Sequence, residues 1–239
     1  KNLAVCEALA RELDIENRTR QELEDRIVEE AMEQAKELAY TYRHKVLVVS
    51  GSGWHQGIIG IVASKLLQSY NRPCIVISVE DGTGKGSGRS LECFNIFRAL
   101  DYCSGVLTRF GGHEMAAGLT IEEDKIGEFR TLINKYADEV LTDEDLLPTI
   151  RIDAILERDD ITRQNIIELE KLEPFGVGNP VPVFGYSGPL LKSVRTLSDG
   201  KHLKLNLWDK GLYVDAIGFN MGKAAEKLAV GDTVSVASS

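Results

Sequence analysis

Residues 46–79, VLVVSGSGWHQGIIGIVASKLLQSYNRPCIVISV, decide the fold class. VLVVS (46–50) is a short unbroken apolar run, the pattern of a strand covered on both faces. GSGWHQG follows as a loop, and IIGIVASKLLQSY as a helix that Asn71, Arg72 and Pro73 stop. CIVISV (74–79) is a second buried strand. Strand, helix and strand in this order predict an α/β layer.

The pattern extends in both directions. Upstream, residues 1–44 hold 7 basic and 11 acidic side chains. Thr19 and Glu22 fit a capping box. Leu23, Ile27, Ala31, Ala35, Leu38 and Tyr42 then recur at helical spacing, and Arg43, His44 and Lys45 suit a helix C-terminus. One long amphipathic helix is expected here, as a connector. Downstream, DGTGKGSGRS (81–90) turns and returns as a strand, and FNIFRALDYC (94–103) is a short helix. RFGGH (109–113) reads as a Gly-rich loop and AAGLTI (116–121) as a strand. Ile126, Phe129, Leu132, Ile133 and Tyr136 mark a closing helix.

After Pro148 the pattern changes. IRIDAIL alternates as a strand and ITRQNIIELEKL is helical. LEPFGVGNPVPVFGY is broken by Gly and Pro. LLKSVRTL, KHLKLNLW and LYVDAIGF are strands, separated by turns at Asp199-Gly200 and Lys210-Gly211. MGKAAEKLA is a short helix before a last strand from Thr233. Short strands with one helix before the last predict a small OB-like β-barrel. The expected organisation is a connector helix region (1–44), an α/β domain (45–140) and a barrel domain (141–239), with the boundary around LTDEDLLP.

The 239 residues carry a net charge of -9, which excludes a uniformly basic nucleic-acid coat but leaves room for a local basic pocket. Cys6, Cys74, Cys93 and Cys103 form no C-x-x-C pair and suggest no zinc site; reduced thiols in a cytoplasmic protein are expected. No signal peptide opens the sequence, and its longest apolar stretch is too short and Gly-rich to cross a bilayer. A first residue that is not Met reads as a piece of a longer protein.

Three motifs carry chemistry. GSGWHQG lacks a dinucleotide-binding fingerprint, because Gln56 stands where the third glycine belongs. A loop feeding a helix N-terminus still suits an anion, with Trp54 and His55 as ligand contacts; the competing reading buries Trp54 in the core. GTGKGSGRS lacks the spacing of a Walker loop. Its bare N–H groups, with Ser87, Arg89 and Ser90, suit an oxyanion; otherwise it is a solvated hairpin tip. RFGGH adds Arg109, Gly111, Gly112 and His113, whose imidazole donates to phosphate unless it is a core histidine bonded to a carbonyl. Two such elements in one α/β unit point to one phosphate pocket. No Asp/His cluster for a metal pair is visible.

GWHQGIIGIVASKL, GKGSGRS and LTRFGGHEMAAGLTI, in that order, resemble the DHHA1 domain of the DHH phosphoesterase superfamily. ENRTRQELEDRIVEEA before them, with LEPFGVGNPVPVF and SDGKHLKLNLW after them, resemble the bacterial RecJ family of single-strand-specific 5′-to-3′ exonucleases. The resemblance implies a DHHA1 domain followed by an OB domain, holding single-stranded DNA in repair and recombination. It also implies an N-terminal DHH domain of the same chain that holds Mn²⁺ or Mg²⁺; no DHH triplet and none of those ligands occurs in these residues. By position it gives Ser87, Arg89, Ser90, Gly111, Gly112 and His113 the DNA 5′ end and phosphates. Two other functions stay open: a DHH phosphodiesterase for short oligonucleotides or cyclic dinucleotides, against which the 141–239 extension argues, and a non-catalytic nucleic-acid-binding module.

Overall fold

A computed structural model describes residues 3–239. The chain divides into two compact units, the first running to Pro148 and the second Thr149–Ser239. No described helix is long and apolar enough to cross a membrane.

The first unit is a five-stranded mixed sheet between helices. In chain order it contains α1 (Leu3–Tyr40), β1 (Leu47–Ser52), α2 (Ile59–Tyr70), β2 (Cys74–Glu80), β3 (Thr83–Arg89), α3 (Ile96–Tyr102), β4 (Arg109–Gly112), β5 (Ala116–Glu122) and α4 (Ile126–Val140). The strand order is β1-β2-β3-β5-β4. β1 and β2 are parallel, joined through α2, and the other neighbours are antiparallel. Alternation along each strand sorts side chains to two faces. Leu47, Val49, Cys74 and Val76 pack with α1 and α2, among them Ile27, Ala31, Ala35, Val62 and Leu66. Val48, Ile75, Ile77, Leu119 and Ile121 pack with Phe94, Ile96 and Leu100 and with Phe129 and Ile133 of α4. Leu141 and Leu146 are buried in this second cluster, so the segment after α4 folds with the α/β unit.

β1 is an edge strand, and side chains occupy its free backbone groups, which blunts the edge. Asn134 accepts from the Val46 N–H and donates to the Val46 carbonyl, both at 3.0 Å. Arg130 donates to the Val48 carbonyl. Gln34 of α1 accepts from the Ser50 N–H and donates to its carbonyl.

Several expectations for α1 need correction. The helix runs unbroken through Thr19, which caps nothing; its hydroxyl bonds back to the Ile15 carbonyl at 3.2 Å. The S/T-x-x-E spacing recurs inside helices, so the pattern alone does not start one. The helix stops at Tyr40, Tyr42 is exposed, and Arg43 takes a left-handed φ of 53°. Arg43, His44 and Lys45 therefore lie past its end; Lys45 pairs with Asp138 and bonds the Leu141 carbonyl. The buried Glu24 is held by Lys65 at 2.7 Å and by Arg20, and Lys65 foremost keeps its carboxyl below the usual range.

The second unit is a mixed half-barrel of β6 (Ala154–Leu156), α5 (Arg163–Leu169), β7 (Phe184–Leu197), β8 (His202–Asp209), β9 (Leu212–Gly218) and β10 (Thr233–Ser238). Its ladder runs β10-β7-β8-β9, with β6 parallel to β7. β7 serves three partners: residues 184–190 pair with β10, residues 184–186 also with β6, and residues 190–197 with β8, across a bulge near Lys192. Leu191, Leu203, Leu205 and Leu207 form the core. Lys210 and Gly211 both take positive φ, 44° and 92°, as a two-residue hairpin turn with matching twist requires. IRIDAIL yields only a three-residue strand, and MGKAAEKLA is a 3-10 segment (Gly222–Lys227), not an α-helix.

Candidate functional site

The strand expected within DGTGKGSGRS is present, and RFGGH, expected as a Gly-rich loop, begins as a strand too. TGKGSGR forms β3, between β2 and β5. Its glycines and its polar residues alternate, and the two sets face opposite ways. A Cβ on Gly84 would stand 2.7 Å from Ile77, on Gly86 2.8 Å from Leu119, and on Gly88 2.5 Å from Ile96. These glycines let core side chains rest directly on the backbone. Lys85, Ser87 and Arg89 therefore emerge on the face that α2 covers.

RFGG forms β4, the edge strand, hairpinned to β5 through residues 113–115. The register then fixes what meets on the α2 side. Lys85 pairs with Thr120 and Thr120 with Arg109; Ser87 pairs with Gly118 and Gly118 with Gly111. Arg89 pairs with Ala116, whose carbonyl accepts from the His113 N–H at 2.8 Å. An open cleft of about 460 Å³ lies there, lined among others by Gln56, Lys85, Ser87, Arg109, Gly111 and Thr120.

The two glycines of GGH have different reasons. Gly112 has φ of +145°, and a Cβ there would stand 2.4 Å from the Ala116 carbonyl oxygen. Only glycine fits. A Cβ on Gly111 would meet nothing within 4 Å. Its missing side chain leaves bare backbone on the cleft floor, beside Gly118.

The Arg89 guanidinium lies between β3 and α2. It donates to Ser87 Oγ at 3.2 Å and to the Gly88 carbonyl at 2.8 Å. A Cβ on Gly60, in the first turn of α2, would stand 3.1 Å from Arg89 Nη2 and 3.2 Å from Ser87 Oγ. No side chain caps that end of α2; the N–H groups of Ile61 and Val62 bond the Ile58 carbonyl, and the positive end of the helix dipole lies beside Gly60. Among the described residues, Lys85, Arg89 and Arg109 make no ion pair, and no acidic residue lines the cleft. On a chain of net charge -9 this is a concentrated positive patch.

Two expected site residues do not belong to it. Ser90 is 2% exposed, and its hydroxyl donates to the Phe94 carbonyl. It follows the even-numbered glycines toward the core. Trp54 is 3% exposed; its indole N–H donates to Glu30 at 2.7 Å, and its ring covers Gly51. The core reading of Trp54 is the right one. His55 is exposed, but its Nδ1 accepts from the Gly57 N–H at 3.1 Å and braces the loop. Ser87, Arg109 and Gly111 share the cleft, Arg89 flanks it through Ser87, and His113 is exposed at the hairpin end. Lys85, Thr120 and Gln56 were missing from the expected set. The alternation in TGKGSGR already carried the signal for Lys85.

Among the described residues no three His, Cys, Asp or Glu side chains gather as a metal site requires.

Residues 43–139 match the DHHA1 domain family, and residues 152–239 match the RecJ OB domain family. The chain is 36% identical over 234 residues to the single-stranded-DNA-specific exonuclease RecJ of Bacillus subtilis (strain 168), covering 97% of this chain and 30% of that protein. It is 33% identical over 235 residues to RecJ of Escherichia coli (strain K12), covering 93% of this chain and 40% of that protein. The crystal structure of RecJ from Thermus thermophilus in complex with Mg²⁺ is similar with a TM-score of 0.81 and 32% identity, covering 99% of this chain and 35% of that one. The Mn²⁺ complex from the same source gives 0.73 and 32%, covering 90% and 31%. The chain thus spans 30% to 40% of the length of these curated relatives.

Proposed function

From a chain that belongs to the DHHA1 and RecJ OB domain families, we propose the substrate-holding portion of a single-stranded-DNA exonuclease acting 5′ to 3′ in DNA repair and recombination. The observation that carries this is the cleft over β3, β5 and β4: Lys85 and Arg109 around a floor of bare Gly111 and Gly118 backbone, with Arg89 flanking it through Ser87. Such a surface admits a phosphodiester closely and neutralises it. Ser87, Arg89, the α2 N-terminus and His113 hold the phosphate at the 5′ end, and Arg109 with Gly111 receives the strand beside it. Gly112 shapes the hairpin that presents them. What these residues contribute to hydrolysis is position and charge complementarity, both large terms in phosphoryl chemistry. In the whole protein, Mn²⁺ or Mg²⁺ belongs to a DHH domain outside these residues, across the cleft, and the enzyme works in the cytoplasm.

The second unit suits a guide for the same strand. On the face opposite its leucine core, Trp208 pairs with Tyr213 across β8 and β9, and Lys192 lies 4.7 Å from the Trp208 ring. Lys204 pairs with Arg195 on β7. Aromatic rings interleaved with cations are the chemistry of sequence-tolerant single-strand binding.

The test is fluorescence anisotropy with 5′-phosphorylated single-stranded DNA across a salt series. Binding is expected to be weak and to fall steeply with salt, and Arg89→Ala is expected to reduce it. Affinity indifferent to salt, or equal for the variant and the parent chain, overturns the assignment of the cleft.

A further inference from the structure

Resting on that reading of the cleft, we infer that Lys85, Thr120 and Arg109 form a second phosphate subsite, which grips the next phosphate of the strand rather than the one at its 5′ end. The three residues stand in one row across β3, β5 and β4, paired Lys85 to Thr120 and Thr120 to Arg109. Neighbours in an antiparallel pair are about 5 Å apart, so the two cations stand about 10 Å apart at Cα with a hydroxyl between them. That spacing suits two long cationic side chains closing on one oxyanion. All three line the same cleft, which contains no acid, and Lys85 and Arg109 have no ion-pair partner among the described residues.

The row is separate from the first locus. Lys85 is four residues from Arg89 on β3, and Arg109 is four from His113, a shift of about 13 Å along the strands. The Arg89 guanidinium is drawn toward Ser87 and the first turn of α2, and it does not line the cleft. Between the loci lies the bare floor of Gly86, Gly118 and Gly111. The cleft, at about 460 Å³, is roughly fifteen times the ~30 Å³ share of one water molecule. It has room for a nucleotide-sized length of strand, not for a lone phosphate.

The experiment compares 5′-phosphorylated thymidine mononucleotide, dinucleotide and hexanucleotide as ligands of the full chain by titration calorimetry. Arg89→Ala is expected to weaken all three. Lys85→Ala and Arg109→Ala are expected to weaken the dinucleotide and hexanucleotide on the order of tenfold each, the scale of a lost charge-assisted bond. Both are expected to leave the mononucleotide unchanged, and Lys85→Arg is expected to retain binding. In a salt series with the hexanucleotide, the Lys85→Ala/Arg109→Ala double variant should lose about 0.7 from the slope of log affinity against log salt, one phosphate contact to single-stranded DNA. Thermal melts should match the parent, since neither side chain has a bonded partner. Equal losses for mononucleotide and hexanucleotide mean one shared phosphate and overturn the second subsite. An unchanged hexanucleotide affinity and salt slope overturn it while leaving the cleft reading intact. A parent chain that binds no oligonucleotide overturns both.

Discussion

Gly111 and Gly112 are adjacent in sequence and identical in chemistry, and their alanine variants are expected to fail in opposite ways. At Gly112 the backbone has φ of +145°, and an added Cβ would lie 2.4 Å from the Ala116 carbonyl oxygen and 2.5 Å from Ala117 Cα. The obstacles are backbone of the neighbouring strand, so no rotamer relieves them. A residue held in a glycine-only region costs about 1–3 kcal/mol, and overpacking adds about 1–3 kcal/mol. A combined loss near 4 kcal/mol corresponds to a fall in Tm of roughly 8–16 °C for a chain of this size. At Gly111 an added Cβ meets nothing within 4 Å. Gly111→Ala therefore keeps or slightly raises Tm, by restricting the unfolded chain, while its methyl group intrudes on the floor of the cleft. The assays are thermal melts by circular dichroism and anisotropy with 5′-phosphorylated single-stranded DNA. Gly112→Ala should melt early; Gly111→Ala should melt normally and bind DNA poorly. The reasoning is refuted by a Gly112→Ala chain that melts with the parent, or by a Gly111→Ala chain that binds DNA like the parent.

Arg89 and His113 flank Ala116 from either side, about 10 Å apart at Cα. In a double-mutant cycle with 5′-phosphorylated DNA, Arg89→Ala and His113→Ala should each weaken binding roughly tenfold and together by less than the product; independent losses would show two separate contacts. Ser90→Ala removes a buried hydrogen bond to the Phe94 carbonyl and should lower stability by about 1 kcal/mol without touching DNA affinity; weaker DNA binding at an unchanged Tm would return Ser90 to the cleft. His44 is partly buried with an unpartnered Nδ1, and burial, then the Arg130 charge, hold its imidazole below the ordinary histidine range against the opposing pull of Asp138. The unfolded chain therefore takes up the proton first, so stability is intact above the ordinary value of about 6.5 and falls as pH drops below it. His44→Gln should flatten that part of a denaturation series in pH, and an unchanged slope would remove His44 as its source.

The α/β layer was legible because β1 and β2 are covered on both faces. Leu47 and Val49 pack under α1 and α2, Val48 and Ile77 against α3 and α4, and such strands read as unbroken apolar runs. The hairpin at Lys210-Gly211 was legible because its backbone requires left-handed φ. β4 was hidden because its glycines are poor strand formers by themselves. Its extended form comes from its ladder with β5, as the glycines of β3 are held by Ile77, Ile96 and Leu119, contacts remote in sequence. Trp54 could not be placed from its loop, since Glu30 and Gly51, which hold it, say nothing about it locally. The capping box at Thr19 failed for the converse reason: a local signal was outvoted by helix continuing on both sides.

Parity along β3 explains how one strand serves both the core and the cleft. Positions 84, 86 and 88 face the core and must be bare, while 85, 87 and 89 face the cleft and carry amine, hydroxyl and guanidinium. One strand thus meets two demands that do not compete, because a strand's period of two separates them. Ser90 takes the even side, which is why its hydroxyl is spent inside. The same parity puts the cleft-side residues on a central strand hydrogen-bonded on both edges, to β2 and β5, and not on a glycine loop. A rigid floor loses little entropy when a phosphate arrives, so binding energy goes to placing the strand. It also follows that substitutions along β3 must segregate by parity, with even positions changing stability and odd positions changing ligand affinity. Lys85→Ala and Gly86→Ala, one residue apart, are the sharpest pair, the first read in oligonucleotide affinity at constant Tm and the second in Tm.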